Sequence, residues 1–358
     1  MQRKEREQTF FYNMRKFHNN IKRNLYNKYT KNVDSVLELG VGRSGDLDKW
    51  ISNNIKKVVG YDINAESISE GQRRVNERKS NTKVELYVKD LSSEILPKPE
   101  KLFDVVSAQF CFHYFFRTQE TFDAIVKSIN NNCKYDGYFI GTLFDGVSVS
   151  NLELSENGIL RFKIEKGITN ETPFGNEPPF GNGTPFGNEP PFGNGTPFGN
   201  EAKVYLNETI LNEPTTEYIV NFDSFVKLMK MRGFELVESH LFKDLYNDKF
   251  RLDSISKQVS FLNRTFVFKK TLLCKSEIEK VLIKCEFNTE ITEYNKKVYL
   301  KYYQSLSEKI KSCKSEIKKK EYSEILSRFE FGDTLGISSV NTSNYIKMLN
   351  KKYLGDLR

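Results

Sequence analysis

The chain has 358 residues, 38% of them hydrophobic, with 55 lysines and arginines against 47 aspartates and glutamates and a formal charge of +8. That length supports one large or two ordinary domains with a full core, and five scattered cysteines (Cys111, Cys133, Cys274, Cys285, Cys313) without a C-x-x-C pair speak against a secreted disulfide framework and against a zinc or other metal site. No apolar run approaches the roughly eighteen residues of a membrane span, and the first seven residues are charged rather than signal-like, so a soluble intracellular protein with no membrane partner is expected.

In chain order, Phe11, Met14, Phe17, Ile21, Leu25 and Tyr26 fall near helical spacing within 8–31, which predicts a helix covering a cofactor pocket. Strands are then predicted at 35–40, 57–62, 84–89, 103–108 and 137–142, alternating with helices at 46–54, 65–78, 118–132 and 222–232. The alternation implies an α/β, doubly wound, mainly parallel sheet. Two late strands are predicted beyond them, at 234–242 and 261–270. From about residue 272 the chain is rich in Lys, Glu and Ser with helical spacing, which predicts a helical C-terminal appendage over 272–358. Its lysine cluster at 309–320 suits either the wet face of a helix or contact with a polyanion.

The chemistry begins at Val36-Leu-Glu-Leu-Gly-Val-Gly-Arg-Ser-Gly-Asp-Leu47. Glycines at 40, 42 and 45 after an apolar run, with Asp62 twenty positions beyond Gly42, form the turn and strand-end acid that seat an adenosine-bearing cofactor. Nicotinamide and S-adenosylmethionine (AdoMet) both fit that geometry. Two further acids favour AdoMet. Glu38 lies inside the first strand, where it can orient the cationic methionine part, and Asp90 lies at the end of Val84–Asp90, where it can accept from an adenine amino group.

One repeat interrupts the pattern. Pro-Phe-Gly-Asn occurs at 173, 179, 185, 191 and 197, and proline and glycine at that density exclude a helix or a central strand. A low-complexity loop over 171–200 is expected. The last copy, Pro197–Asn200, directly abuts the alternating segment 202–207, which sets it apart from the other four.

Taken together, these segments resemble the messenger-RNA cap (guanine-N7) methyltransferases, cellular and large-DNA-virus forms alike. Phe17-His-Asn-Asn-Ile-Lys22 is similar to F-N-N-W-I-K, Leu37–Leu47 to L-D-L-G-C-G-K-G-G-D-L, and Gln109–Tyr114 to Q-F-x-x-H-Y. Gly137–Thr142 is similar to G-G-Y-F-I-G-T, Pro197–Gly199 to P-x-F-G, and Glu217–Phe222 to E-[FY]-x-V-x-[FW]. The likeness implies the class I AdoMet-dependent (Rossmann-like) fold closed by an antiparallel strand, over a methyltransferase domain at 1–271. It also implies transfer of a methyl group to N7 of the GpppN cap guanine.

By the same resemblance, Lys22, Gly40, Gly42, Asp46, Asp62, Asp90, Gln109 and Tyr114 hold AdoMet. Asn19, Arg43, His113, Tyr114, Pro197, Phe198 and Glu217 face the cap, with His113, Tyr114 and Glu217 positioning the guanine and no residue acting as acid or base. Capped RNA is the implied partner. The guanylyltransferase and RNA triphosphatase steps, or a stimulatory subunit, would come from other polypeptides, in a nucleus or, for a cytoplasmic virus, in cytoplasm or virion. The residues alone also allow an AdoMet enzyme acting on another RNA base or a small molecule, or a silent RNA-binding subunit. Three positions depart from the family pattern. His18 replaces an asparagine, Ser44 replaces a glycine and is small enough to keep the turn if its φ stays negative, and Asn263 stands where cellular members carry a cap-facing tyrosine.

Overall fold

The computed structural model describes residues 9–150, 162–166, 197–206, 215–271 and five helical positions between 304 and 312. The first four hexapeptide copies and the rest of the predicted appendage lie outside the described residues. The first helix, α1 (Tyr12–Tyr29), leads into β1 (Ser35–Leu39), α2 (Leu47–Ser52), β2 (Lys57–Asp62), α3 (Ala65–Glu77) and β3 (Lys83–Val88). Next come β4 (Phe103–Gln109), a 3-10 turn at Phe112–Phe116, α4 (Gln119–Asn132), β5 (Cys133–Phe144) and the short α5 (Gly146–Ser150). The chain continues through β6 (Phe162–Lys166), β7 (Glu201–Leu206), β8 (Thr215–Tyr218), α6 (Phe222–Lys230), β9 (Phe234–Leu241), α7 (Ser254–Phe261) and β10 (Asn263–Lys270).

Seven strands form one sheet in the order β3-β2-β1-β4-β5-β10-β9. β3, β2, β1, β4 and β5 pair in parallel, and β10 runs antiparallel between β5 and β9. The doubly wound sheet with an antiparallel closing strand is therefore present as expected. A strand buried on both faces sends alternate side chains to opposite sides. Leu37 and Leu39 enter the core packed with Phe112, Phe122, Phe225 and Phe266, while Val36 enters the opposite core with Tyr26, Trp50, Val105 and Ile140. Glu38 shares the parity of Val36 and so lies under α1.

The strand order reverses between β1 and β4, and in such sheets ligands lie in the crevice outside the carboxyl ends at that switch point. Gly40, at φ +64, opens the crevice, and a Cβ there would stand 2.7 Å from the Cβ of Cys111. Three features depart from the predicted pattern. α7 occupies 254–261, capped by Asp253, whose side chain accepts from Ser256 N, so the last strand begins at Asn263. β5 starts earlier than predicted, at Cys133. A separate three-stranded sheet, β6-β7-β8, stands beside the large one. Asp145, 1% exposed, anchors that small sheet: it receives Arg264 Nε at 2.7 Å and bridges to Val220, just past β8.

The parallel core tolerates no extra atom at Gly141. A Cβ there would lie 2.2 Å from Ala108 O and 2.4 Å from Phe266 Cζ, so Gly141→Ala should destabilise the fold by about 2–3 kcal/mol or more. Gly45 has open space around its Cβ position and no positive φ, so Gly45→Ala should leave stability unchanged or raise it by up to about 0.5 kcal/mol. Urea denaturation of both variants checks the contrast.

Candidate active site

The turn after β1 is built by positive backbone angles. Gly40 and Gly42 have φ +64 and +50, and Ser44 has φ +53. The negative φ that would let a serine keep this turn at no cost is not adopted: the chain takes the left-handed conformation that a glycine would adopt more easily. Its hydroxyl is buried with no hydrogen-bond partner among the described residues, and Gly71 of α3 packs so close that a Cβ there would stand 2.7 Å from Ser44 Oγ. Gly42 has nothing within 4 Å of its Cβ position. Its N–H donates to Asp62 Oδ2 at 2.7 Å, and Asn64 N donates to Oδ1 at 2.9 Å. Those two bonds fix the Asp62 carboxylate at the end of β2. Asp90 is held in the same way by Ser92 N, Ser92 Oγ and Ser93 Oγ at 2.6–2.9 Å, and these donors keep its carboxyl below the usual range.

Asp46 gathers two lysines. Lys22 of α1 and Lys49 of α2 approach its Oδ1 at 2.8 and 2.6 Å. Burial alone would raise the Asp46 carboxyl, but the two cations outweigh it and hold it low. Lys49 is itself nearly inaccessible, so burial depresses its ammonium, and it also donates to Asn19 Oδ1 at 3.0 Å. Asn19 is exposed beside this pair. Arg43 is half-buried, its carbonyl accepting from Arg74 at 3.0 Å. Gln109 points back into the sheet, donating to Ser107 Oγ at 3.1 Å and accepting from Thr142 Oγ1 at 3.3 Å.

The 3-10 turn that begins beside Gly40 carries the next group. Tyr114 N donates to Cys111 O at 3.1 Å, which places His113 and Tyr114 one turn beyond the residue touching the glycine. His113 Nε2 meets Glu217 Oε2, and Tyr114 Oη donates to Glu217 Oε1 at 2.8 Å. Thr215 Oγ1 donates to that same oxygen at 3.1 Å. Burial pushes the Glu217 carboxyl up, but His113, Tyr114 and Thr215 together hold it below its ordinary value, so it is ionised at neutral pH. Burial, reinforced by Glu217, pushes the Tyr114 phenol well up. Nδ1 of His113 is buried and unpartnered among the described residues.

The departures at His18 and Asn263 have clear structural roles. His18 stacks on Phe110 with ring centroids 5.3 Å apart and bonds Ser260 Oγ at 2.9 Å. Burial lowers its imidazole to about 3, so it is neutral. Asn263 is buried and donates to the carbonyls of Val259 and Ser260 at 3.1 Å, closing the end of α7. In the last hexapeptide copy, Phe198 packs on Phe116 and Phe122, with centroids 5.9 and 5.5 Å away, and Gly199 N donates to Phe116 O at 2.9 Å. The Phe198 ring thus packs on core aromatics, and Pro197 beside it is half-buried. Sequence reasoning passes over Thr215, Lys49, Tyr26 and Ser107. Thr215 stands two residues before Glu217 on one strand and Lys49 three after Asp46, and those spacings put each on the same face as its partner.

A family model described as the mRNA (guanine-N(7))-methyltransferase domain matches residues 1–330 of the 358. The chain belongs to this family. Among relatives of the guanine-N7 methyltransferase family, the mRNA cap guanine-N(7) methyltransferase of Eremothecium gossypii is 43% identical over 140 residues, covering 37% of this chain and 33% of that protein. The Saccharomyces cerevisiae protein of the same name is 32% identical over 252 residues, 65% of this chain and 53% of that one. A probable mRNA-capping enzyme of Acanthamoeba polyphaga mimivirus is 27% identical over 267 residues, 65% of this chain and 22% of that protein. The chain therefore spans between a third and about half the length of the two fungal relatives. AdoMet is the family's methyl donor.

Relief of the left-handed Ser44 is measurable. Ser44→Gly removes a strained φ and an orphan buried hydroxyl, each worth about 1 kcal/mol or more, against about 0.5–1 kcal/mol of added chain entropy in the unfolded state. A net gain of about 1–1.5 kcal/mol in urea denaturation is expected, and a loss would contradict strain at this turn.

Proposed function

We propose that the chain binds AdoMet along the carboxyl edge of β1, β2 and β4 and transfers its methyl group to N7 of the guanine in a GpppN cap. The observation that carries this reading is the meeting of Glu217, from the small sheet, with His113 and Tyr114, one turn past the residue that packs on Gly40. The residues fit AdoMet on three counts. Gly42 leaves open space at the turn; Asp62 is already oriented by two backbone N–H groups, with lone pairs to spare for a ribose diol; Glu38 is buried with no ion-pair partner among the described residues, which suits a cationic ligand nearby.

In this reading Lys22 and Asp46 serve the methionine end, Asp62 the ribose, Asp90 the adenine amino group, and Gly40, Gly42 and Gln109 shape the floor. AdoMet supplies an electrophilic methyl carbon on a sulfonium sulfur. Guanine N7 carries a lone pair and no proton, so the chain has no proton to remove, and its task is proximity and alignment. The ionised Glu217 offers acceptors matched to guanine N1–H and N2. Tyr114, 39% exposed, is free to pack its ring on the purine. Asn19 and Arg43 would meet the cap's ribose and triphosphate, and Pro197 and Phe198, the latter packed on Phe116 and Phe122, would support the cap side of the site.

Glu217→Gln keeps size and removes the paired acceptors. With AdoMet and a short GpppG-capped RNA, kcat/KM should fall by about 10²–10⁴-fold, while AdoMet affinity by calorimetry stays within about twofold. Near-normal turnover of Glu217→Gln would remove Glu217 from the cap site and this reading with it.

A further inference from the structure

Glu38 lies one residue inside the end of β1, 2% exposed. Lys22, the cation whose charge reaches it, pairs instead with Asp46. Its partners are hydroxyls. Tyr26, fully buried on α1, donates to Oε2. Ser107, its register partner across β1 and β4, donates to Oε1 at 3.1 Å, and the two hydroxyl oxygens are 3.0 Å apart. The row continues through Gln109 to Thr142 on β5. Tyr26 stands one helical turn beyond Lys22, so the two share a face of α1. Lys22 reaches down to Asp46 and Tyr26 to Glu38, and these are two polar fastenings of α1 to the glycine-turn end of the sheet.

We propose that Tyr26 is a positioning residue for AdoMet: its phenol registers α1 on the sheet through Glu38 and Ser107, and keeps Glu38 able to ionise when the cationic methionine end of the cofactor arrives. The inference rests on the AdoMet reading of the glycine turn. Geometry gives the reason. A carboxyl shut from water without a cation favours its neutral form, whereas a ligand cation beside it favours the carboxylate. Hydroxyl donors aimed at both oxygens lower the cost of that change.

The groups facing Glu38 are Tyr26 and Lys22 from α1, Asp46 from the start of α2, Ser107 from β4, and, past β4, Cys111, which feels both Glu38 and Asp62. Burial first and Asp46 second push Glu38 up to about 8, and the Tyr26 and Ser107 hydroxyls pull it back. Burial keeps the Tyr26 phenol protonated, hence a donor. AdoMet binding below that value therefore releases a proton from Glu38, so affinity rises with pH and levels off above about 8. Losing the Tyr26 hydroxyl removes a donor to the charged form, raises Glu38 further and moves the midpoint to higher pH.

Calorimetric titration of the full chain with AdoMet, from about pH 6 to about pH 9, tests this. Tyr26→Phe should bind about five- to tenfold more weakly near pH 7, with a midpoint raised by about half a unit or more. Glu38→Gln should lose the part of the pH dependence that does not belong to the cofactor's own amino group. Ser107→Ala removes the other hydroxyl donor without touching α1 and should shift the midpoint in the same direction; it decides the matter if Tyr26→Phe does not fold. Wild-type affinity and midpoint in Tyr26→Phe would overturn the inference, and so would weaker binding with an unmoved midpoint, since that reflects packing alone. Absence of AdoMet binding by the wild type would overturn the cofactor reading, and this inference with it. A wild type that binds beside an unaffected Tyr26→Phe would sink the inference alone.

Discussion

A carboxyl group removed from water must be met by hydrogen-bonding groups or cations, at a penalty of several kcal/mol if it is ionised and is not, and three of them determine how this molecule is assembled around its crevice. Asp46 is met by Lys22 and Lys49, which joins α1 to α2 at the glycine turn. Glu38 is met by the hydroxyls of Tyr26 and Ser107, which joins α1 to β1 and β4. Glu217 is met by His113, Tyr114 and Thr215, which joins the small sheet to the turn after β4. Cations, hydroxyls and an imidazole are three different answers to one electrostatic requirement, and each draws a separate element to the carboxyl edge of the large sheet.

Those fastenings account for the division of labour in the crevice. On the proposed reading, a cationic methyl donor and a guanine with an unprotonated N7 need no acid or base, and buried charge then serves placement instead of proton transfer. Apolar packing supports that placement from both faces. Phe17 meets Phe242 and Tyr246 edge-on at centroid distances of 6.0 and 5.6 Å, closing α1 over the end of the sheet. Phe112, Phe122, Phe225 and Phe266 fill the opposite face beneath the turn that carries His113. The polar contacts then choose one register among the many that such a core would permit.

Much of this is legible in residue order. Period-two alternation in Val36-Leu-Glu-Leu39 tells that Glu38 shares a face with Val36, and the glycines at 40 and 42 do take positive φ where the turn requires it. The positive φ of Ser44 is not legible in the same way, nor is the approach of Gly71, 27 positions away, to its hydroxyl. The resemblance marks Asn263 only as the replacement of a cap-facing tyrosine, whereas the helix ending at Phe261 has open carbonyls that its amide satisfies. α7 is hard to see in sequence although Asp253 and Ser256 form a cap, since the surrounding segment has weak apolar periodicity. The hydroxyls of Tyr26, Ser107 and Thr215 carry no motif. Their importance comes from which acid lies opposite, and that is settled only when strands and helix are in register.

Methylation of N7 of a cap guanine in this crevice is open to direct measurement. The full chain is incubated with radiolabelled AdoMet and GpppA-capped RNA, and the cap is then released by nuclease digestion and resolved by chromatography. The prediction is label in a cap dinucleotide that comigrates with the 7-methylguanosine standard, with none transferred to the same RNA bearing a 5′-triphosphate. Label in an internal nucleotide, or no label in an AdoMet-bound protein, would contradict it.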